Sequence, residues 1–137
     1  RFPNTHADLI VELLAALKST FGTEGVDRII AQRTSTQLAA HRARMPAAGA
    51  PLEERVQALA RLRRDEGYMA ECQRERDGGF LLVENHCPIC AAARFCQGFC
   101  RDELEVFRKL LGRDATVERV EHLLDGARRC AYRIRAA

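Results

Sequence analysis

The sequence predicts an α+β domain, in which N-terminal helices precede a four-stranded antiparallel sheet of order ββ-α-ββ with a cysteine-rich metal loop. Apolar residues recur at helical spacing in the first half of the chain. In the second half, four short segments of alternating character flank two Asp-Gly pairs. Helices followed by hairpins are typical of a sheet covered on one face by helices. We expect one domain, 1–137, with a helical part, 1–66, and a sheet and metal-loop part, 67–137.

Three helices are predicted in the first half. The first spans about 5–21 and ends at Gly22, and its apolar positions are Leu9, Ile10, Leu13, Leu14, Leu17 and Phe21. The second runs over about 23–44 and is closed by a Met-Pro pair and the small-residue segment AAGA. The third begins near Pro51, since proline suits a first helical position, and ends before Gly67.

Two hairpins and one helix are predicted in the second half. The segments YMAECQRE and FLLVENH flank Asp77-Gly78, and TVERVEHL and RCAYRIR flank Asp125-Gly126. Between the hairpins lies a cysteine-rich loop, followed by a helix from about Arg101 to Leu111. The buried stripe of this helix is predicted to be Leu104, Phe107, Leu110 and Leu111.

Composition excludes several classes of protein. No apolar run approaches the roughly 18 residues of a membrane helix, and no signal-peptide cleavage site is evident, so we expect a cytoplasmic, reducing compartment. The net charge of +3 is too slight to grip nucleic acid by itself. No Ser-His-Asp order, phosphate-binding glycine loop or paired carboxylates stand out, which predicts that the chain is not an enzyme. Because the chain opens at Arg1, we interpret it as part of a longer protein.

Four of the six cysteines fall within the fourteen positions 87–100, here called the cysteine loop: Cys87, Cys90, Cys96 and Cys100. Cys130 follows on the last predicted strand. A thiolate pair at x2 spacing can bind one ion from a tight turn, and soft thiolates select zinc or iron–sulfur over magnesium or calcium. The alternatives are buried cysteines that only pack, which is our interpretation of Cys72, and a disulfide framework, which a reducing compartment disfavours.

The segments LLVENHCPI, FCRDELEVFRKLLG and VERVEHLLDGARRCAYRI resemble the effector half of bacterial winged-helix transcriptional regulators related to the iron–sulfur-assembly (Suf) operon repressor. The resemblance extends from PLEERVQALARLRRDEGYMAE to the C-terminus. It implies an iron–sulfur cluster whose gain or loss switches operator binding, and a DNA-binding winged helix that is missing from this chain and would precede it. By position, it implies Cys87, Cys100 and Cys130 as ligands.

The sequence does not determine the identity of the fourth ligand or of the metal. Val83 and Asp114 stand where an additional cysteine of that family is expected, so the fourth ligand falls to the cysteine loop. Cys90 is favoured over Cys96 because Cys90 shares a tight turn with Cys87. Four nearby thiolates fit zinc as well as they fit a [4Fe-4S] cluster.

His122 is an alternative ligand that depends on strand register. If Asp125-Gly126 forms a two-residue turn, Glu121 faces Cys130 across the hairpin. A slip of one residue puts His122 there instead. His6 and His41 are interpreted as solvated residues on helix surfaces.

These observations predict a metal-binding sensor or effector domain of a bacterial transcriptional regulator. We expect a homodimer, since palindromic operators require two-fold readers, and DNA contact only through the missing N-terminal winged helix. The second helix is the expected dimer contact, and the competing explanation is that it belongs to the core of one subunit. The alternative is a small-molecule sensor in which zinc is purely structural and an effector enters between the helices and the sheet.

Overall fold

The computed structural model describes residues 5–137 and has an α+β architecture. Its helices are α1 (His6–Arg42), α2 (Leu52–Asp65), α3 (Cys90–Phe95) and α4 (Gly98–Leu111). Its strands are β1 (Ala70–Arg74), β2 (Phe80–Glu84), β3 (Ala115–Glu121) and β4 (Cys130–Ala136). A turn of 3-10 helix, Leu123–Asp125, follows β3. The predicted α+β class with a four-stranded antiparallel sheet is confirmed.

The sheet has the strand order β1-β2-β4-β3, and every neighbouring pair is antiparallel. Both predicted hairpins are therefore present, and they meet through the central pair of β2 and β4, where Leu82 faces Tyr132. Over residues 5–137, none of the helices has the length and apolar character that crossing a bilayer requires.

The main core lies between the sheet and two helices, α2 and α4. Apolar side chains of α2 and α4 pack on one face of the strands, and the fully buried ones include Val56, Leu59, Phe107, Leu111, Leu82 and Ile134. Phe107 meets Tyr132 edge-on, with ring centroids 4.8 Å apart. This packing fixes α4 against β4 and so determines where the cysteine loop can lie.

A second apolar cluster joins α1 to the cysteine loop. Leu14, Val26 and Ile30 of α1 pack there against Ala92, Ala93 and Phe99. Gly22 lies between the two halves of α1 and has φ 75° and ψ 177°, a conformation that glycine adopts without steric cost. The two predicted N-terminal helices thus occur as one element, α1, with a kink at the predicted stop.

Three local expectations differ from the structure. The cysteine loop contains a short helix, α3, which the sequence pattern did not reveal. The following helix begins at Gly98, three residues before its predicted start, so Cys100 lies in its first turn. His41 was expected to be solvated, but it is 4% exposed, because its Nε2 pairs with the Glu66 carboxylate where α1 crosses the end of α2.

Candidate metal centre

A tight turn after β2 holds the first two predicted ligands. The backbone N–H of Cys90 donates to the carbonyl of Cys87 at 3.2 Å, and Cys90 is the first residue of α3. Both side chains are partly buried. The x2 spacing thus forms the closed turn that the sequence predicts.

The other two predicted ligands begin α4 and β4. Cys100 lies in the first turn of α4 and is partly buried, while Cys130 opens β4 and is buried. The Cys130 Sγ accepts a hydrogen bond from the backbone N–H of Leu123 at 3.4 Å. Packing of α4 on the sheet therefore determines the placement of both cysteines relative to the turn after β2.

The four thiols share one electrostatic environment. Burial raises the pKa of the Cys87 thiol to about 12, and the charges of Glu103, Cys90 and Cys130 raise it further. Burial likewise raises the pKa of Cys100 to about 11, with Glu103, Cys130 and Cys90 acting in the same direction. Cys87 and Cys100 thus each lie near enough to Cys90 and Cys130 to respond to their charges. The structure brings Cys87, Cys90, Cys100 and Cys130 into one neighbourhood.

Arg119 supplies positive charge to this neighbourhood. Its Nη2 donates to the carbonyl of Cys100 at 2.7 Å, and its charge lowers the pKa of Cys100 and Cys130 against the larger effect of burial. The Arg119 Nε is buried and has no hydrogen-bond partner among residues 5–137. A cation with a spare donor beside the thiols favours thiolate formation.

Cys96 and Cys72 pack into two different apolar clusters. The Sγ of Cys96 lies beside Gly98, and the Ile30 side chain of α1 lies beside Gly98 as well. A Cβ added to Gly98 would be 3.5 Å from the sulfur and 3.4 Å from the Ile30 Cδ1. Cys96 packs with the apolar cluster of α1, as Cys100 also does. Cys72 packs against the main core on the edge strand β1. Neither sulfur is among the charges that shift the pKa of Cys87 or Cys100.

His122 occupies the position that a register slip would give it. The β3–β4 ladder pairs Arg119 with Tyr132 and then Glu121 with Ala131, so a bulge at Val120 shifts the register by one residue. The next step of this register places His122 across from Cys130. The slip that the sequence left open therefore occurs in β3 rather than in the turn.

The His122 imidazole has one nitrogen engaged and one free. Its Nδ1 lies 3.4 Å from the Asp125 carboxylate, and its Nε2 is buried without a hydrogen-bond partner in the described part of the chain. Imidazoles that ligate metals commonly donate their other N–H to a carboxylate. The Nε2 of His122 is thus a buried nitrogen that no described residue occupies.

A buried ionic network lies beside the thiols and was missed by the sequence interpretation. Arg63 is 1% exposed, and its Nη2 lies 3.1 Å from the Glu84 Oε1 and 3.2 Å from the Glu103 Oε2. The Tyr68 hydroxyl donates to the other Glu103 oxygen at 2.8 Å. Burial raises the pKa of Glu84, whereas Arg63 opposes this shift. The network joins α2, β2 and α4 under the cysteine loop.

A signal for this network exists in the sequence. Arg63 follows Val56, Leu59 and Ala60 at helical spacing, which places it on the buried stripe of α2. Glu103 follows Cys100 by three residues and therefore shares its face of α4. Arginine-rich runs such as RLRRDEG are usually solvated faces, which is the prediction from sequence, but Arg63 within this run is buried.

The four cysteines are donors of the type that zinc and iron–sulfur clusters prefer. In this structure, however, their side chains are not arranged around a metal position. Across residues 5–137, no group of three or more Cys, His, Asp or Glu side chains is arranged to hold an ion as it stands. The raised pKa values of Cys87 and Cys100 describe protonated thiols. Metal binding at these residues would therefore have to displace protons and draw the sulfurs together.

Comparison with known proteins does not assign the site. The chain matches no family model, and no curated protein matches it significantly. The resemblance to the Suf operon repressors thus depends on the quoted sequence segments alone.

Proposed function

We propose that this chain is a metal-binding sensor domain of a bacterial transcriptional regulator, which controls DNA binding through a cysteine-ligated zinc ion or [4Fe-4S] cluster. The observation that carries the proposal is that the turn after β2, the start of α4 and the start of β4 each present cysteines, and that Cys90 and Cys130 both act on the pKa of Cys87 and of Cys100. Soft thiolates in a group select these metals.

In this proposal, Cys87, Cys90, Cys100 and Cys130 hold the metal, and Cys96 and His122 are the alternative ligands. The bound metal supplies positive charge that offsets the thiolates. Arg119 of β3 adds to this positive charge, because its guanidinium donates to the Cys100 carbonyl at the start of α4. The ionic network of Arg63, Glu84 and Glu103 holds the surrounding elements in place.

The switch follows from how the cysteine loop is anchored. Ligation would tie the turn after β2 to α4 and β4, and metal binding free energy counts as folding free energy for the segment that it organises. The other side of the loop packs on α1 through Ala92 and Phe99. Loss of the metal would loosen the loop and so change the support of α1, an order–disorder transition.

The regulator in this proposal is a cytoplasmic homodimer that contacts DNA only through a winged helix outside this chain. Apolar side chains left exposed on α1 support a dimer contact there, and the ones that could form it are Leu9, Phe21 and Ile29. Two-fold symmetry would match a palindromic operator.

A second candidate function is a small-molecule sensor in which zinc is purely structural. A cavity between α1 and the cysteine loop favours this candidate. The cavity is not between the helices and the sheet, where the sequence interpretation placed an effector.

The test measures operator affinity of the full-length regulator with metal, without metal, and with Cys100→Ser, all at one salt concentration. The matched control is Cys72→Ser, since Cys72 lies outside the thiol group. We expect metal removal and Cys100→Ser to change affinity alike, while the control follows the wild type. Equal affinity in all samples would contradict metal-controlled DNA binding and leave zinc a structural role.

A further inference from the structure

An apolar cavity of about 470 Å³ lies between the first half of α1 and the cysteine loop. Most of its wall is aliphatic or aromatic, and the principal contributors are Ile10, Leu13, Leu14, Leu17, Ile89 and Phe99. Its size is within the range of about 300–1,000 Å³ that small-molecule sites occupy.

One cation in this wall, Arg33, has no carboxylate hydrogen-bonded to it among residues 5–137. Arg33 lines the cavity, and its guanidinium carbon lies 5.5 Å from the centroid of the Phe99 ring. Within residues 5–137, Arg33 makes no hydrogen bond or salt bridge. The nearby Glu66 carboxylate responds to the charge of Arg33, but its oxygens are engaged by His41 and Arg63. The guanidinium is therefore free to bind an anion that enters the cavity.

We propose that this cavity binds a small organic anion, a carboxylate or sulfonate on an apolar body. The apolar body fills the groove along α1, where burial of its surface drives binding. The anionic group pairs with Arg33, whose planar guanidinium favours two-point contact with such oxyanions. This charge complementarity distinguishes the occupant from an uncharged apolar molecule of the same shape.

The site adjoins the cysteine loop but does not rest on metal binding. Ile89 and Ala92 contribute to the cavity wall, and Cys90 lies between them in the chain. A bound anion would therefore contact the segment that carries the proposed ligand Cys90. Occupancy of the cavity would restrain this segment whether or not a metal is present.

The test compares two fluorescent probes of nearly the same shape, anionic 1-anilinonaphthalene-8-sulfonate and uncharged N-phenyl-1-naphthylamine. Arg33→Gln removes the charge and keeps a polar group on a shorter side chain. We expect it to weaken the sulfonate probe about tenfold and the neutral probe less than about twofold. Arg28→Gln is the matched control, because Arg28 is on the same helix and exposed outside the cavity wall. It should leave both affinities unchanged.

A second pair of variants tests the location. Ala91→Leu and Ala7→Leu fill the cavity from opposite walls at partly exposed positions, and each should weaken both probes. Circular dichroism verifies folding before titration. Equal losses of both probes in Arg33→Gln, or unchanged binding in both filled variants, would overturn the proposal. So would probe affinity that falls as sedimentation shows the chain dimerising, since a second copy would then cover the cavity.

Discussion

Leu123 donates its backbone N–H to the Cys130 Sγ at 3.4 Å, across the connection between β3 and β4. This contact holds the turn that follows β3 against a thiol of the proposed metal centre. It also brings the residue before Leu123, His122, to the edge of the thiol group with its Nε2 free of partners within residues 5–137.

Cys90→Ser tests which side chain completes the site. We expect it to weaken cobalt(II) or zinc binding by about 10–100-fold without abolishing it, because His122 can supply a fourth donor. His122→Gln alone should cost less than about threefold, and the double variant should lose more than the product of the single effects. Cobalt absorption checks the donor set. If Cys90→Ser bound the metal with wild-type affinity, Cys90 would not be a ligand and Cys96 would be the expected ligand from the loop.

The raised thiol pKa values predict a pH dependence for the metal-free, reduced protein. The pKa of Cys100 rises from 9.0 to about 11 and that of Cys87 from 9.0 to about 12, because burial disfavours the thiolate. The folded state thus retains protons that the unfolded chain releases, and stability is full below pH 9 and falls as pH rises above it. Urea unfolding at pH 7, 9 and 10.5 measures this loss. Cys87→Ser with Cys100→Ser should flatten the curve, and an unchanged slope would contradict the assignment.

Removal of the buried Arg63 guanidinium should lower the stability of the fold. Arg63→Leu leaves Glu84 and Glu103 buried without their shared partner, so we expect the free energy of unfolding to fall by about 3–5 kcal/mol. Arg61→Leu is the control, since Arg61 is exposed on the same helix, and its effect should stay within about 0.5 kcal/mol. Urea denaturation measures both. A loss in Arg63→Leu no larger than in the control would show that the network does not stabilise the fold.

The exposed apolar face of α1 predicts the dimer contact. Leu9 is 49% exposed and Phe21 is 66% exposed, so a charge at either position should leave the fold intact. Leu9→Glu and Phe21→Glu are expected to shift the protein from dimer to monomer in sedimentation velocity, because each would bury an unpaired carboxylate in the interface. Thr20→Glu, at an exposed polar position of the same helix, should remain dimeric. A dimer in both apolar-site variants would place the interface elsewhere.

Most of the fold could be predicted from residues that are neighbours in the sequence. Asp77-Gly78 and Asp125-Gly126 mark both hairpin connections, and Gly22 marks the break in α1, because each depends on local backbone conformation. The spacing of Cys87 and Cys90 likewise predicts their turn. What these features share is that neighbours in sequence determine them.

Long-range packing determined what could not be predicted. His41 looks like a surface residue from the sequence, and its burial depends on its pairing with Glu66, twenty-five positions away. The bulge at Val120 determines whether Glu121 or His122 faces Cys130, and the residue pattern of β3 does not predict this bulge. The shared environment of the four thiols likewise depends on how α4 docks on the sheet.

The most direct test of the central claim is the metal content of the chain after anaerobic purification, together with its visible absorption spectrum. We expect either one zinc ion or one [4Fe-4S] cluster per chain, and in the second case the protein should be coloured by the visible absorption of the cluster. Serine at Cys87, Cys100 and Cys130 should remove the metal, while Cys72→Ser should retain it. Stoichiometric metal in the triple variant, or none in the wild type even after reconstitution with zinc or with iron and sulfide, would contradict the account.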